Sequence, residues 1–114
     1  MSTAQPESAG EIADYAEIFA ALGDQTRLSL IKKLADGVPQ SIVRLTNDTA
    51  LTRQAITKHL RVLEGAGLVD AGRVGRESQF TLRPQRLVEL RSYLDRVAAQ
   101  WDDALGRLKA FVER

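Results

Sequence analysis

The 114-residue sequence contains no cysteine. Disulfides and every thiolate metal site are therefore excluded. Long apolar runs are also missing. No stretch approaches the ~20 residues needed to span a bilayer, and residues 1–10 have neither the basic region nor the apolar block of a leader. The expectation is a cytoplasmic protein with no membrane partner. Neither a P-loop lysine nor a strand-Gly-x-Gly-x-x-Gly-helix unit surrounds Gly65, Gly67, Gly72 or Gly75, so these glycines are caps and turns rather than a phosphate cradle. The single histidine, His59, has no nucleophile-base-orienter set around it, which argues against an enzyme and favours a packing or phosphate-contact role. Asp102 and Asp103 are adjacent, which on a helix points them about 100° apart, so they do not share a site. No catalytic residue, metal ligand or cofactor is expected.

What remains is ordinary in bulk and uneven in detail. Apolar residues make up 44% and charged residues 27% of the chain, as in a globular domain of about this length. The net charge of +1 hides an asymmetry. Residues 1–50 carry four Lys/Arg against seven Asp/Glu, residues 51–86 seven against three, and residues 87–114 five of each. Positive charge is thus concentrated in the middle third, as suits a polyanionic partner whose condensed counterions are released on contact, although a solvated basic face would have the same composition.

The centre of that third is the stretch 52–69. Thr52 is a helix N-cap, and Ile56, Leu60 and Leu63 recur at spacings of four and three, giving one buried stripe. The opposite face carries Arg53, Gln54, Thr57, Lys58 and Arg61 without a carboxylate, and Gly65-Ala66-Gly67 ends the helix. Before it, a short helix over 40–47 and a connector at 48–51 make a helix-turn-helix with a recognition helix at 53–66. After it, strands at 69–74 and 78–82 joined through Gly75-Arg76-Glu77 make a hairpin, the wing, with Arg73 and Arg76 at or near its tip. A basic tip can reach a phosphate or the minor groove, whereas the bland alternative is a solubilising hairpin.

The flanks are helical. Residues 1–10 form a disordered tail, and the domain occupies 11–114. Ile12, Tyr15, Ala16, Phe19 and Leu22 space a first helix, and Asp24 caps a second with Leu28, Ile31 and Leu34 as its buried stripe. From Gln85 to the end, Leu87, Leu90, Leu94, Val97, Trp101, Ala104, Leu108 and Phe111 step by three and four. A ~28-residue helix is about 42 Å long, more than one small core needs, so the seam is expected to pair with a second copy. Tyr93 and Trp101 would then be dimer-core aromatics, with an effector pocket as the other reading of Trp101.

The order of these elements resembles the ArsR-type winged helix-turn-helix repressors. The matching residues are Phe19-Ala-Ala-Leu-Gly-Asp-Gln-Thr-Arg-Leu, Ile56-Thr-Lys-His-Leu-Arg-Val-Leu and Gly65-Ala-Gly-Leu-Val, and the likeness covers nearly everything after the tail. The resemblance implies a mainly α fold with a small β-hairpin and long N- and C-terminal dimerisation helices. It also implies a homodimer that represses transcription from an inverted-repeat operator in double-stranded DNA. On this sequence Arg53, Gln54, Thr57 and Lys58 would read bases, and Thr52, Arg61, Arg73 and Arg76 would hold phosphates. Leu87, Leu90, Leu94, Val97, Trp101 and Leu108 would form the dimer interface.

Many such repressors sense metals through a Cys-x-Cys pair or through His and carboxylates on the last helix. Here Ser41-Ile42-Val43 stands where the thiolates would be and the last helix has no histidine, which implies a non-metal branch. The identity of any small-molecule effector, the operator sequence and repression versus activation are left open. Thr49-Ala50 replaces the usual apolar-glycine pair of the turn. The alternative function, a winged-helix module that binds protein instead of DNA, calls for a more apolar or acidic recognition face than this one.

Overall fold

A computed structural model describes residues 9–113. Five helices and a three-stranded sheet follow in the order α1 (Ala9–Leu22), α2 (Gln25–Lys33), β1 (Gln40–Ser41), α3 (Ile42–Thr46), α4 (Arg53–Gly65), β2 (Val69–Val74), β3 (Glu77–Leu82) and α5 (Pro84–Val112). The fold is that of a winged helix-turn-helix. The tail expected at 1–10 lies outside the described residues except for Ala9 and Gly10, which already belong to α1.

Both expected caps form. Asp24 accepts from the Arg27 N–H at 3.0 Å to open α2, and Thr52 accepts from the Ala55 N–H at 3.1 Å to open α4. The end of α4 is a paired reverse turn: Leu68 N–H bonds to the Leu63 carbonyl and Gly67 N–H to the Glu64 carbonyl, both at 2.9 Å. Gly67 takes φ +76°, a left-handed conformation that L side chains rarely adopt, and its open Cα lies against the Arg86 side chain. The helix therefore closes at Gly65, one residue before the expected boundary.

The sheet departs from expectation. Gln40 and Ser41, expected to open a helix, pair instead with Phe80 and Gln79, which makes β3 the middle strand in the order β1-β3-β2. Ser41 has a second role as the N-cap of α3, accepting from Arg44 N–H at 3.2 Å. Long-range pairing with β3 outweighs the local helical pattern, and α3 shrinks to five residues. In the wing, Val74 pairs with Glu77, so the turn is the two residues Gly75 and Arg76 and not three. The connector after α3 solves its unusual sequence with Asp48 at φ 61°, a left-handed conformation that a short polar side chain tolerates.

One core unites these elements. Ile18, Leu30, Leu34, Leu45, Ile56, Leu60, Leu63, Leu68, Val69 and Phe80 are all buried. Each such side chain stabilises the fold by roughly 1.5–3 kcal/mol relative to exposure. The stripe expected on α2 is rotated: Leu30 and Leu34 point inward and Leu28 is 53% exposed, because it is the Leu30 face that meets α4. On α1, among the described residues, Ile18 and Ala21 are buried, while Ile12 and Phe19 face outward.

The last helix runs well past this core. At 29 residues it is about 43 Å long. The radius of gyration, 18.8 Å, far exceeds the roughly 13 Å of a compact chain of this size. Of the seam residues Leu90 is buried, Leu87, Val97 and Ala104 are half-buried, and Leu94, Trp101, Leu108 and Phe111 are exposed. Among the described residues no helix is long and apolar enough to cross a membrane.

Candidate nucleic-acid interface

The first turns of α4, the start of α3 and the tip of the wing enclose an open groove of about 760 Å³. Arg53, Gln54, Thr57 and Lys58 form its floor, Arg76 its wing side, and Ser41, Ile42 and Val43 its far wall. Helical spacing explains the floor, since 53, 54, 57 and 58 lie on the face opposite the buried Ile56, Leu60 and Leu63. Thr57 turns its hydroxyl onto the Arg53 carbonyl at 2.7 Å, which fixes its rotamer. The result is a concave surface with three cations from two separate elements and one carboxylate, Glu77.

Five of the eight expected contact residues therefore come together: Arg53, Gln54, Thr57, Lys58 and Arg76. Thr52 stays at the helix start, where its side chain is committed to the cap. Arg73 lies on β2 at the sheet edge, beside Pro39 and apart from the groove. Arg61, one turn further along α4, does not reach the groove: Nη1 donates to Glu64 Oε1 at 2.8 Å and the guanidinium lies over Phe80. Sequence reasoning did not find Ser41, Ile42 and Val43 as groove residues, because the β1–β3 pairing that brings them there is non-local, while Glu77 and Ser78 come with the wing beside Arg76.

Behind the groove a polar cluster joins three helices. Arg27 Nη1 donates to His59 Nδ1 at 3.3 Å, and Asp24 Oδ2 stands 3.8 Å from the same nitrogen. His59 thus packs inside the helix assembly and not on the recognition face. The backbone N–H of Arg27 holds the Asp24 carboxyl below its ordinary range, with the positive charge of Arg27 adding to the effect.

The two long helices meet at an aromatic pair. Tyr15 of α1 stacks on Tyr93 of α5 with ring centroids 4.3 Å apart, and Arg96 Nη2 donates to the Tyr15 hydroxyl at 3.3 Å. Tyr93 therefore fastens α5 to its own chain, while Trp101, about two turns further on, is 65% exposed.

Comparison with known proteins agrees with this architecture. Residues 22–70 match a family described as a helix-turn-helix domain. An HTH-type transcriptional regulator of Mycobacterium tuberculosis, Rv2034, is 38% identical over 87 residues, covering 76% of this chain and 78% of the relative. Among solved structures, an ArsR-like transcriptional regulator from Rhodococcus sp. RHA1 superposes with a TM-score of 0.79 at 36% identity, over 90% of this chain and 96% of that one. A homodimeric winged helix-turn-helix DNA-binding domain from Mycobacterium bovis, at 22% identity, shares the fold with a TM-score of 0.66 over 88% and 92% of the two chains. Taken with the helix-turn-helix, the wing and the long last helix, these likenesses show that the chain is a DNA-binding transcriptional regulator and not an enzyme, and that it belongs to the ArsR-type winged helix-turn-helix family.

Proposed function

We propose that the protein is a homodimeric repressor that binds an inverted-repeat operator, with α4 of each protomer in a major groove and each wing over the flanking backbone. The observation that carries this reading is the groove that brings Arg53, Gln54, Thr57 and Lys58 into one surface with Arg76 of the wing. Arg and Lys can pair with guanine O6 and N7, Gln with adenine N6 and N7, and the Thr57 methyl can pack on thymine. Arg76 has the position for a phosphate or minor-groove contact, Thr52 opens α4 where a phosphate would approach the helix start, and Arg73, outside the groove, is left to the outer flank of the wing. Arg61 is better assigned to seating the wing, since its charge is already matched by Glu64.

Dimerisation is supported by the exposed stripe of Leu94, Trp101, Leu108 and Phe111 on a helix far longer than its own core requires. Ile12 and Phe19 of α1 add to the apolar surface outside the core. The homodimeric state of the Mycobacterium bovis domain of the same fold points the same way. Repression would act by occlusion, a dimer on two half-sites about one helical turn apart covering duplex that the transcription machinery needs.

Selection from a randomised duplex pool, followed by fluorescence anisotropy of the selected duplex at several salt concentrations, tests the reading. The expected result is a palindromic consensus bound far more tightly than a scrambled duplex, with one dimer per duplex. Enrichment of no sequence, or equal affinity for both duplexes, would overturn it.

A further inference from the structure

We infer that Arg27 is a positioning residue that sets how far apart, and at what rotation, the two recognition helices of the dimer stand, and thereby which half-site spacing the protein accepts. The inference rests on the homodimer reading above. Arg27 lies in the first turn of α2 and spends its whole guanidinium on other helices. Nε donates to the Ala21 carbonyl at 2.6 Å and Nη2 to the Ala20 carbonyl at 3.3 Å, both in the last turn of α1, where Ala20 also accepts from the Gly23 N–H. Nη1 donates to His59 Nδ1 at 3.3 Å, next in sequence to Lys58 of the groove floor. One planar fork thus ties the end of α1 to the middle of the recognition helix.

The rest of the α1–α4 contact is apolar, through Ile18, Ala21 and their neighbours in the core. Apolar ridge-into-groove packing leaves a crossing angle loose by about 15–20°, and charge-assisted hydrogen bonds from a rigid fork narrow it. At its other side α1 is bound to α5 by the Tyr15–Tyr93 stack and the Arg96 bond. A continuous set of directional contacts therefore runs from the helix that carries the dimer seam to the face that reads bases, and Arg27 is its joint to α4. His59 Nδ1 accepts from Arg27 only while its proton is on Nε2, and Asp24 fixes the start of α2 on which Arg27 sits.

The test uses duplexes carrying two copies of the pool-selected half-site, separated by the preferred spacing or by one or two base pairs more or fewer. Each base pair moves the second half-site by about 3.4 Å and about 34°. The wild-type dimer is expected to lose at least about tenfold in affinity per base pair of misplacement, because both half-sites must be met at once. Arg27→Ala, Arg27→Lys and His59→Leu are expected to flatten that profile to about threefold or less, while His59→Asn, which keeps an acceptor near the Nδ1 position, retains it. A residue that only stabilises the fold would lower Tm and leave the spacing profile unchanged. A steep profile shared by wild type, Arg27→Lys and His59→Leu would overturn the inference while leaving the dimer intact, and the two His59 variants decide it should the Arg27 variants not fold. A wild-type monomer in light scattering, or a wild type indifferent to spacing, would overturn the homodimer reading and this inference with it.

Discussion

The guanidinium carbon of Arg61 lies 5.5 Å from the centre of the Phe80 ring, so a side chain of the recognition helix is laid on the middle strand of the sheet. Its partner Glu64, three residues on, closes the arrangement at 2.8 Å. Both contacts belong to the fold. Arg61→Ala should therefore destabilise the protein by about 0.5–1 kcal/mol, the scale of an exposed cation–π contact. It should leave the salt dependence of DNA binding as it was, whereas loss of a true phosphate contact would lower that slope by about 0.9. Thermal unfolding and a salt titration read the two effects separately.

Arg53 and Gln54 have no such second employment, and both line the groove. Arg53→Ala or Gln54→Ala should weaken binding to the selected duplex by about 1–3 kcal/mol and relax preference at one base position. Anisotropy against duplexes substituted at each position measures this. Equal losses on specific and scrambled DNA would reduce the residue to a phosphate contact.

Leu94 is exposed and Val97 half-buried in the single chain, so a carboxylate at either position spares the core and acts on the exposed seam. Leu94→Glu or Val97→Glu should give a folded monomer in light scattering with most operator affinity lost, since two half-sites are no longer held together. A dimer that persists in both variants would contradict the seam.

Thr52 caps α4 with a single side-chain bond to Ala55 N–H. Thr52→Ala should cost about 1 kcal/mol of stability, and Thr52→Ser should restore most of it. Urea unfolding of the two variants checks this.

Asp24 has its carboxyl pKa lowered in the folded protein, chiefly by the Arg27 backbone N–H. A group depressed on folding contributes stability above its unfolded value of about 3.9, and that contribution fades as pH falls through the lower folded value. The wild type should therefore exceed Asp24→Asn in Tm at neutral pH, with the gap narrowing as pH falls below about 4. A gap independent of pH down to acid would show that the charge of Asp24 is not involved.

Where a pattern is local, the residues themselves determined the outcome. The caps at Asp24 and Thr52, the Ile56-Leu60-Leu63 stripe, the Gly67 terminus, the hairpin and the long last helix all depend on spacings within a turn or two, and such spacings are written in the sequence. The outward placement of Arg53, Gln54, Thr57 and Lys58 was legible for the same reason, because residues away from a buried stripe point out. Only tertiary structure decided the rest. Gln40 and Ser41 became a strand because β3 offered unpaired backbone groups some forty residues away, and backbone groups inside a fold must find partners. Arg61 left the proposed contact surface for Phe80, His59 turned inward to Arg27, and Leu28 gave up the core to Leu30, each through a neighbour that helical periodicity does not specify. Periodicity says which residues share a face; it is packing against distant elements that decides which way the face turns.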